Sequence, residues 1–381
     1  MKNETRKYKL AHIIRYIGDA FFYPFFALYL STIGKTKTEI GLILMILPLV
    51  GIFINPLWSL FSKNINSNRI FVIILSIIEA AAIFYLIQVQ ALPFVVIGTL
   101  ILAIVGQPYY TLFDGYTTIY SMQNKVNYSS IRLYGSLGFA VGILISGYVI
   151  EYQGYELAFI IAASLYILVS LLTKWIKPIN LSDDLTLNEK PQPKQLVHNK
   201  KFLLFVGFYA ISMAVIFGSD SFLPLFFETK GIGPDGYGWI SFFTVILELI
   251  FLLLLSKFGS KIKLKWIMML IALLNALRYF IFSLDTHIYL LIASSLLRSL
   301  IIGGLLYVAV AYMQKNVSKK NITLGMMIYG SIKSAYQALL TLWGGYHIDH
   351  NGYFSFYIIV TILAVTALFF IDYREKADNV V

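Results

Sequence analysis

Twelve apolar runs, each long enough to cross a lipid bilayer, constrain this chain of 381 residues more than any other feature. They lie at 10–30, 39–61, 70–89, 92–120, 130–150, 156–176, 202–227, 237–257, 264–284, 287–312, 323–344 and 354–372, with polar breaks between them. About 20 mostly apolar residues span the hydrocarbon core. Inside lipid each backbone N–H and C=O needs an internal partner, so such runs must be helices. A membrane β-barrel would instead read as segments of about ten residues with alternating polarity. The predicted fold class is an all-α polytopic membrane protein with twelve transmembrane helices. Composition agrees: 59% of residues are hydrophobic and 13% charged, against about 25% charged in a soluble domain. That excludes a soluble enzyme, a disordered chain and a nucleic-acid binder. The first run carries Arg15 and Asp19 and lacks a small-residue cleavage site, so it reads as a span and not as a secretory signal.

The net charge of +11 is a topology signal. With the N-terminus inside, the segments on the cytoplasmic side hold 22 of the 30 Lys and Arg residues, and the opposite side holds three: Lys35, Lys37 and Lys230. By the positive-inside rule both termini are expected in the cytoplasm of a multi-pass cell-membrane protein. No nucleic-acid partner is needed to explain the charge. There is no cysteine, hence no disulfide or thiolate nucleophile. His12, His198, His287, His347 and His350 fall near predicted loops or ends, and no metal site is expected.

The chain repeats itself. Gly18-Asp19 followed by Pro24 returns as Gly218-Ser-Asp220 followed by Pro224. Tyr134-Gly135-Ser136 returns as Tyr329-Gly330-Ser331, and Gly147-Tyr-Val-Ile-Glu151 through Gly154-Tyr155 as Gly345-Tyr-His-Ile-Asp349 through Gly352-Tyr353. The offsets run from 195 to 201 and cover an even number of helices, so the repeat is parallel. The expected organisation is a six-helix bundle over 1–177, a polar cytoplasmic linker over 178–200 and a second six-helix bundle over 201–381. Gly135, Gly138, Gly142 and Gly147 line the fifth span and are read as helix-packing residues.

Ten ionisable residues fall within spans: Arg15, Asp19, Glu79, Asp114, Arg132, Asp220, Glu248, Arg278, Arg298 and Lys333. Each costs about 2.5–3.5 kcal/mol to insert on translocon scales, so such groups pair or face a cavity. Arg15 and Asp19 are four apart and can pair, although Arg15 can also snorkel to the interface. Glu79 has no basic neighbour in sequence and reads either as a helix–helix hydrogen-bonding group or as part of a transport path. Asp114 and Arg132 sit toward the facing ends of consecutive spans. A guanidinium there suits hydroxyl pairs or a carboxylate, with Phe139 two turns on as a stacking platform. Glu248 is an isolated mid-span carboxyl, and it or Asp220 is the expected proton carrier, with Arg278 or Arg298 as a partner for Glu248; arginine itself cannot release a proton, whereas a buried Lys333 could.

These residues resemble the major facilitator superfamily, and within it the group of lactose permease-type, nucleoside–proton and phenylpropionate-type permeases. The resemblance covers nearly the whole chain and implies two parallel six-helix halves with a solute site near midplane between them. Tyr23-Pro24-Phe25-Phe26-Ala27-Leu28-Tyr29-Leu30 is similar to the end of the first helix in these proteins. Asp114 and Arg132 match the acid–arginine pair that holds sugar in lactose permease, and Phe139 stands where a tryptophan stacks on the sugar ring. Glu248 and Arg278-Tyr279 resemble the signature of the nucleoside and phenylpropionate branches. Asp220 and Lys333 fall where lactose permease carries charges on helices seven and eleven. Three departures matter. The loop Ser59-Leu60-Phe61-Ser62-Lys63-Asn64-Ile65-Asn66 has lysine where the family has aspartate. The tenth span reads Leu297-Arg298-Ser299-Leu300-Ile301 and lacks the family's histidine and glutamate. Asp114 and Phe139 replace Glu and Trp, so galactoside specificity does not transfer.

No nucleotide-binding motif is present. The expected function is secondary transport of a small organic solute by a monomer, with a proton as coupling ion and no other cofactor. A sugar is the first expectation and an aromatic acid or nucleoside the second. The substrate-binding candidates are Asp114, Arg132, Phe139, Asp19 and Glu248, and the coupling network is Glu248, Asp220, Arg278, Arg298 and Lys333. Drug export by proton antiport is disfavoured by the three deep arginines, and a carrier-derived receptor would bind without flux.

Overall fold

The computed structural model describes residues 2–61, 65–179, 195–196, 198–284, 286–318 and 321–372. Most of the linker at 178–200 and the Lys63 position lie outside them. The described chain is helical throughout: α1 (Lys2–Phe22), α2 (Phe26–Thr32), α3 (Lys37–Phe61), α4 (Ile65–Gln88), α5 (Leu92–Gln123), α6 (Tyr128–Gln153), α7 (Tyr155–Trp175), α8 (Lys200–Asp220), α9 (Leu223–Thr229), α10 (Pro234–Phe258), α11 (Leu264–Phe282), α12 (Ile288–Asn316) and α13 (Ile322–Thr366). Eleven of the described segments are long and apolar enough to cross a membrane. The longest of these contains two helices, because Gly352 breaks α13 with φ 77°. That yields the twelve expected spans.

The sequence repeat marks real backbone equivalence. Gly154, at the repeat position of Gly352, has φ 87° and separates α6 from α7. Both need the left-handed region that glycine occupies without a Cβ penalty. The first and seventh spans also break alike. A single 3-10 turn, Tyr23–Phe25 with Pro24 in it, follows α1, and Pro224 opens α9. Proline lacks the N–H that would continue the helix and clashes with the preceding turn. Each break comes just after the repeated aspartate.

The chain packs as two units, one of Met1–Leu185 with Ser221–Phe243, the other of Thr186–Asp220 with Thr244–Val381. In the first, α1 lies close against α6. A Cβ on Gly138 would sit 2.6 Å from the Ile13 carbonyl oxygen, and one on Gly142 3.0 Å from Ile17 Cα. The Ser146 hydroxyl donates to the Ala20 carbonyl at 2.9 Å. Farther along α6, a Cβ on Gly147 would meet the Pro234 carbonyl oxygen at 2.6 Å, and Trp239 Nε1 donates to the Tyr148 hydroxyl at 2.8 Å. The glycine stripe is therefore a packing device, as read. In the second unit Phe205 stacks on Tyr312 with centroids 3.9 Å apart, inside a core of Met213, Ile271, Ile301 and Leu305. Leucines such as Leu100, Leu253, Leu254, Leu273 and Leu277 point outward and are exposed. So much outward apolar surface suits lipid and not water. The protein is a multi-pass membrane protein.

Candidate functional site

The most deeply buried charges gather in the first unit. Arg15, on α1, directs its fork across to Glu79 on α4. Nη1 donates to Oε2 at 2.5 Å and Nη2 to Oε1 at 2.9 Å. The Arg15 Nε lies 3.1 Å from Asp19 Oδ1, which also accepts from the Tyr166 hydroxyl at 2.7 Å. The Tyr23 hydroxyl, in the break of the first span, donates to Glu79 Oε1 at 2.9 Å. The guanidinium is sandwiched between Tyr109 and Tyr166, 3.9 and 4.1 Å from the ring centroids. Small residues make the room. A Cβ on Gly106 would stand 2.8 Å from Glu79 Oε1, and one on Gly18 2.7 Å from the Tyr166 ring. Arg15 and Glu79 are fully buried and Asp19 is 3% exposed. Arg15 therefore does not snorkel. Its apolar stem and flat head are enclosed, because an arginine with aromatic faces and two carboxylates to meet is better satisfied inside than at the interface. His12, read as lying near a helix end, is also buried within α1, with Nε2 3.3 Å from the Thr117 hydroxyl.

A second, open pair lies in the same unit. Arg132 near the start of α6 comes within 3.9 Å of Asp114 on α5, and both side chains are about a third exposed (33% each). The short connection between α5 and α6 is what brings them together. The Arg132 guanidinium stacks 4.3 Å over the Tyr16 ring, and the Tyr128 phenol lies beside both charges. Phe139 follows on α6, half-buried. A Cβ on Gly115, next to Asp114, would meet nothing within 4 Å. This loose contact contrasts with the closed Arg15–Glu79 fork.

The second unit holds an acid between two arginines. Asp220 ends α8. Its Oδ1 lies 2.9 Å from Arg278 Nη1 and accepts from the Tyr279 hydroxyl at 3.1 Å. Its Oδ2 accepts from Arg298 Nε at 2.9 Å. Arg278 is fully buried, and Arg298 is about a quarter exposed (26%). Lys333 on α13 places its ammonium 4.6 Å over Phe217, with the Arg298 guanidinium 5.9 Å from the same ring. Among the described residues no carboxylate lies within ion-pair distance of Lys333. Glu248 is half-buried on α10, and its main-chain carbonyl packs near Gly303 of α12.

The structure thus gathers nine of the ten in-span charges into three groups and places the tenth, Glu248, on α10. Sequence reading missed the Arg15–Glu79 fork, whose members are 64 residues apart, and the tyrosines around it. The available signal was a mid-span glutamate that needed a partner, together with the Pro108-Tyr109-Tyr110 run on a neighbouring span. Among the described residues no group of His, Asp and Glu is arranged to hold a metal ion.

Known proteins resemble this chain over nearly its whole length. The chain is 22% identical over 372 residues to the uncharacterized transporter YwbF of Bacillus subtilis, covering 97% of this chain and 92% of that one. It is 21% identical to the maltose permease of Geobacillus stearothermophilus, covering 97% and 95%. Among solved structures, a variant of the nucleoside transporter NupG superposes with a TM-score of 0.83 at 18% identity over 96% of this chain and 98% of that one. These are transporters and not enzymes. The model of the MFS_1 like family matches residues 6–359, nearly the whole length of both units. The chain belongs to the MFS_1 like family of major facilitator transporters.

Proposed function

We propose that this transporter is a proton-coupled symporter of a small organic solute, with a sugar-like, hydroxyl-rich ring as the solute. It works as a monomer in the cell membrane by alternating access, with both termini cytoplasmic and six-helix halves at 1–177 and 201–381. The observation that carries the reading is the open Asp114–Arg132 pair, 3.9 Å apart and a third exposed, with Tyr16 beneath the guanidinium. Vicinal hydroxyls bridge a carboxylate and a guanidinium, and the aromatic groups Tyr16 and Phe139 offer apolar faces to a ring. Asp19 and Glu248 complete the candidate solute contacts. Glu248, Asp220, Arg278, Arg298 and Lys333 form the charge network that answers the coupling ion. The similarity to a maltose permease supports a sugar, and that to a nucleoside transporter structure supports a solute with a sugar-like ring.

One observation favours a second reading. Lys333 and Arg298 share the Phe217 face, and among the described residues no carboxylate lies within ion-pair distance of the ammonium. A solute joining a carboxylate to an aromatic ring would satisfy that cation. Thermal stabilisation of the purified protein across sugars, nucleosides and aromatic acids separates the two. A ligand at 100 times its dissociation constant adds about 2.7 kcal/mol. A sugar response abolished by Arg132→Ala supports the first reading. A response confined to carboxylates and abolished by Lys333→Ala replaces it with the second. Solute uptake that ignores a pH gradient removes proton coupling from either.

A further inference from the structure

We propose that the Arg15–Asp19–Glu79 cluster is a proton-binding site, with the proton on Asp19 Oδ2 and Glu79 as the fixed anion that Arg15 neutralises. The inference rests on the proton-coupled reading only for its place in the transport cycle; occupancy by a proton follows from the cluster itself.

The argument begins with a charge count. The first unit carries Asp19, Glu79 and Asp114 against Arg15 and Arg132 within its spans. Arg132 and Asp114 are paired with each other. That leaves one guanidinium for two carboxyl groups, all three no more than 3% exposed. The other groups that face the cluster are Tyr23 from the break of the first span, Tyr109 and Tyr110 from α5, and Tyr166 from α7. None of these is a cation. His12, one turn back on α1, touches the Thr117 hydroxyl and the Phe113 ring and not a carboxylate. From α6 the nearest charge is Arg132, already stacked on Tyr16. Two ionised carboxylates would leave one uncompensated negative charge among buried groups, which is the most costly arrangement open to them.

Hydrogen-bond capacity then decides which carboxyl carries the proton. Glu79 Oε2 accepts from Arg15 Nη1, and Oε1 accepts from both Arg15 Nη2 and the Tyr23 hydroxyl. Every partner is a donor, so Glu79 is the ionised member, since an ionised carboxylate only accepts. Asp19 accepts from Tyr166 through Oδ1, while Oδ2 is buried with no partner at full hydrogen-bond geometry and has the Tyr110 hydroxyl beside its carboxyl group. That oxygen is the one free to hold hydrogen. A metal cation fits poorly, because it would require several free oxygen ligands and Glu79 has none to give. Tyr23 sits in the break of the first span. Rearrangement there withdraws a donor from Glu79, lets Arg15 turn toward Asp19, and releases the proton.

Infrared spectroscopy of the purified full-length protein in lipid at neutral pH, in H2O and in D2O, tests the proposal. The expected result is a carbonyl stretch of a protonated carboxylic acid that shifts in D2O. Asp19→Asn should remove the intensity of one group. Glu79→Gln should remove it as well, because Asp19 then ionises against Arg15. Glu248→Gln should leave that group's band in place. A wild-type spectrum without such a band, or a band that both cluster variants keep, overturns the proposal. Stabilisation by sodium chloride, absent with the potassium salt and lost in Asp19→Asn, would overturn it in favour of a metal cation. Protonophore treatment of vesicles loaded with the sugar or acid found by thermal screening separates this inference from the broader reading. A band present with uptake insensitive to protonophore keeps the site and rejects coupling. Sensitive uptake without the band keeps coupling and rejects the site.

Discussion

Arg15→Met should be the most damaging single substitution in the first unit, and Glu79→Gln a mild one, although the two residues share one ion pair. Methionine keeps the length of the arginine stem but removes the fork at 2.5 and 2.9 Å, the contact with Asp19 at 3.1 Å and the guanidinium between two tyrosine rings. It leaves two carboxyl groups facing each other with no cation. Removing one partner of a buried pair costs about 3–5 kcal/mol. Glu79→Gln instead leaves Arg15 beside Asp19, one positive and one negative charge. The loss is then the difference between charge-assisted and neutral hydrogen bonds, about 1 kcal/mol. A unit of roughly 200 residues shifts its midpoint by about 2–4 °C per kcal/mol. Arg15→Met should therefore lower the melting temperature by about 10 °C and Glu79→Gln by about 3 °C. Thermal unfolding in one detergent, read by the fraction that elutes monodisperse, is sufficient because only the ranking matters. Equal losses in the two variants would refute the reasoning, since they would mean that Glu79 and Asp19 are not competing for a single guanidinium.

The other sites give expectations of the same kind. Gly147→Val places its Cβ 2.6 Å from the Pro234 carbonyl oxygen. Backbone must move, at about 1–3 kcal/mol, and a cysteine introduced at Tyr237 in this cysteine-free chain should label faster with a thiol reagent; unchanged labelling would show that Gly147 does not hold the crossing. Asp220→Asn should destabilise the second unit by about 3–5 kcal/mol because two guanidiniums lose their counter-ion. Arg298→Gln should cost less than about 1.5 kcal/mol, since Asp220 keeps Arg278; melting temperatures of the two variants check the order. Arg132→Lys keeps the charge but loses the planar fork and the stacking on Tyr16. Solute affinity by thermal titration should fall about tenfold, which corresponds to about 1.4 kcal/mol.

Run length and hydropathy alone made the spans legible, because hydropathy reports depth in lipid. For the same reason they misjudge helix ends. The first run begins at residue 10, yet α1 starts at Lys2, since a helix continues into the polar headgroup zone where its side chains are solvated. The eleventh run ends at 344, yet the helix passes through His347 and Asp349 and stops only at Gly352. Pairing is legible where the chain connection is short. Asp114 and Arg132 are 18 apart across one turn, and that turn forces them together. Arg15 shows the opposite case. Its spacing to Asp19 predicts a pair, and Nε does lie 3.1 Å away. The guanidinium nevertheless gives its fork to Glu79, because one helix cannot present a carboxylate in the plane and direction that a neighbouring helix can. Periodicity along one helix carries no information about which face of another helix it meets.

The two units apply one repeated layout to opposite charge. Asp19 and Asp220 occupy equivalent positions just before the breaks of the first and seventh spans. The third span of each half supplies the next charge, and there the halves diverge: Glu79 in the first, Arg278 in the second. An acid at that position makes two carboxyls compete for one arginine. A base there makes two arginines clamp one carboxylate. Asp220 is held at 2.9 Å by a guanidinium on each oxygen, so no second carboxyl competes for its partners there. The trio around Arg15 has an unsettled account that a proton can balance. Counting all in-span charges, the first unit carries one negative charge too many, and the second, with Glu248 against Arg278, Arg298 and Lys333 besides Asp220, one positive charge too many. Duplication alone would have given both halves the same chemistry. A change of sign on the third span is enough to give the two halves opposite excess charge, and Lys333, with no carboxylate within ion-pair distance among the described residues, lies in the half with the excess of positive charge.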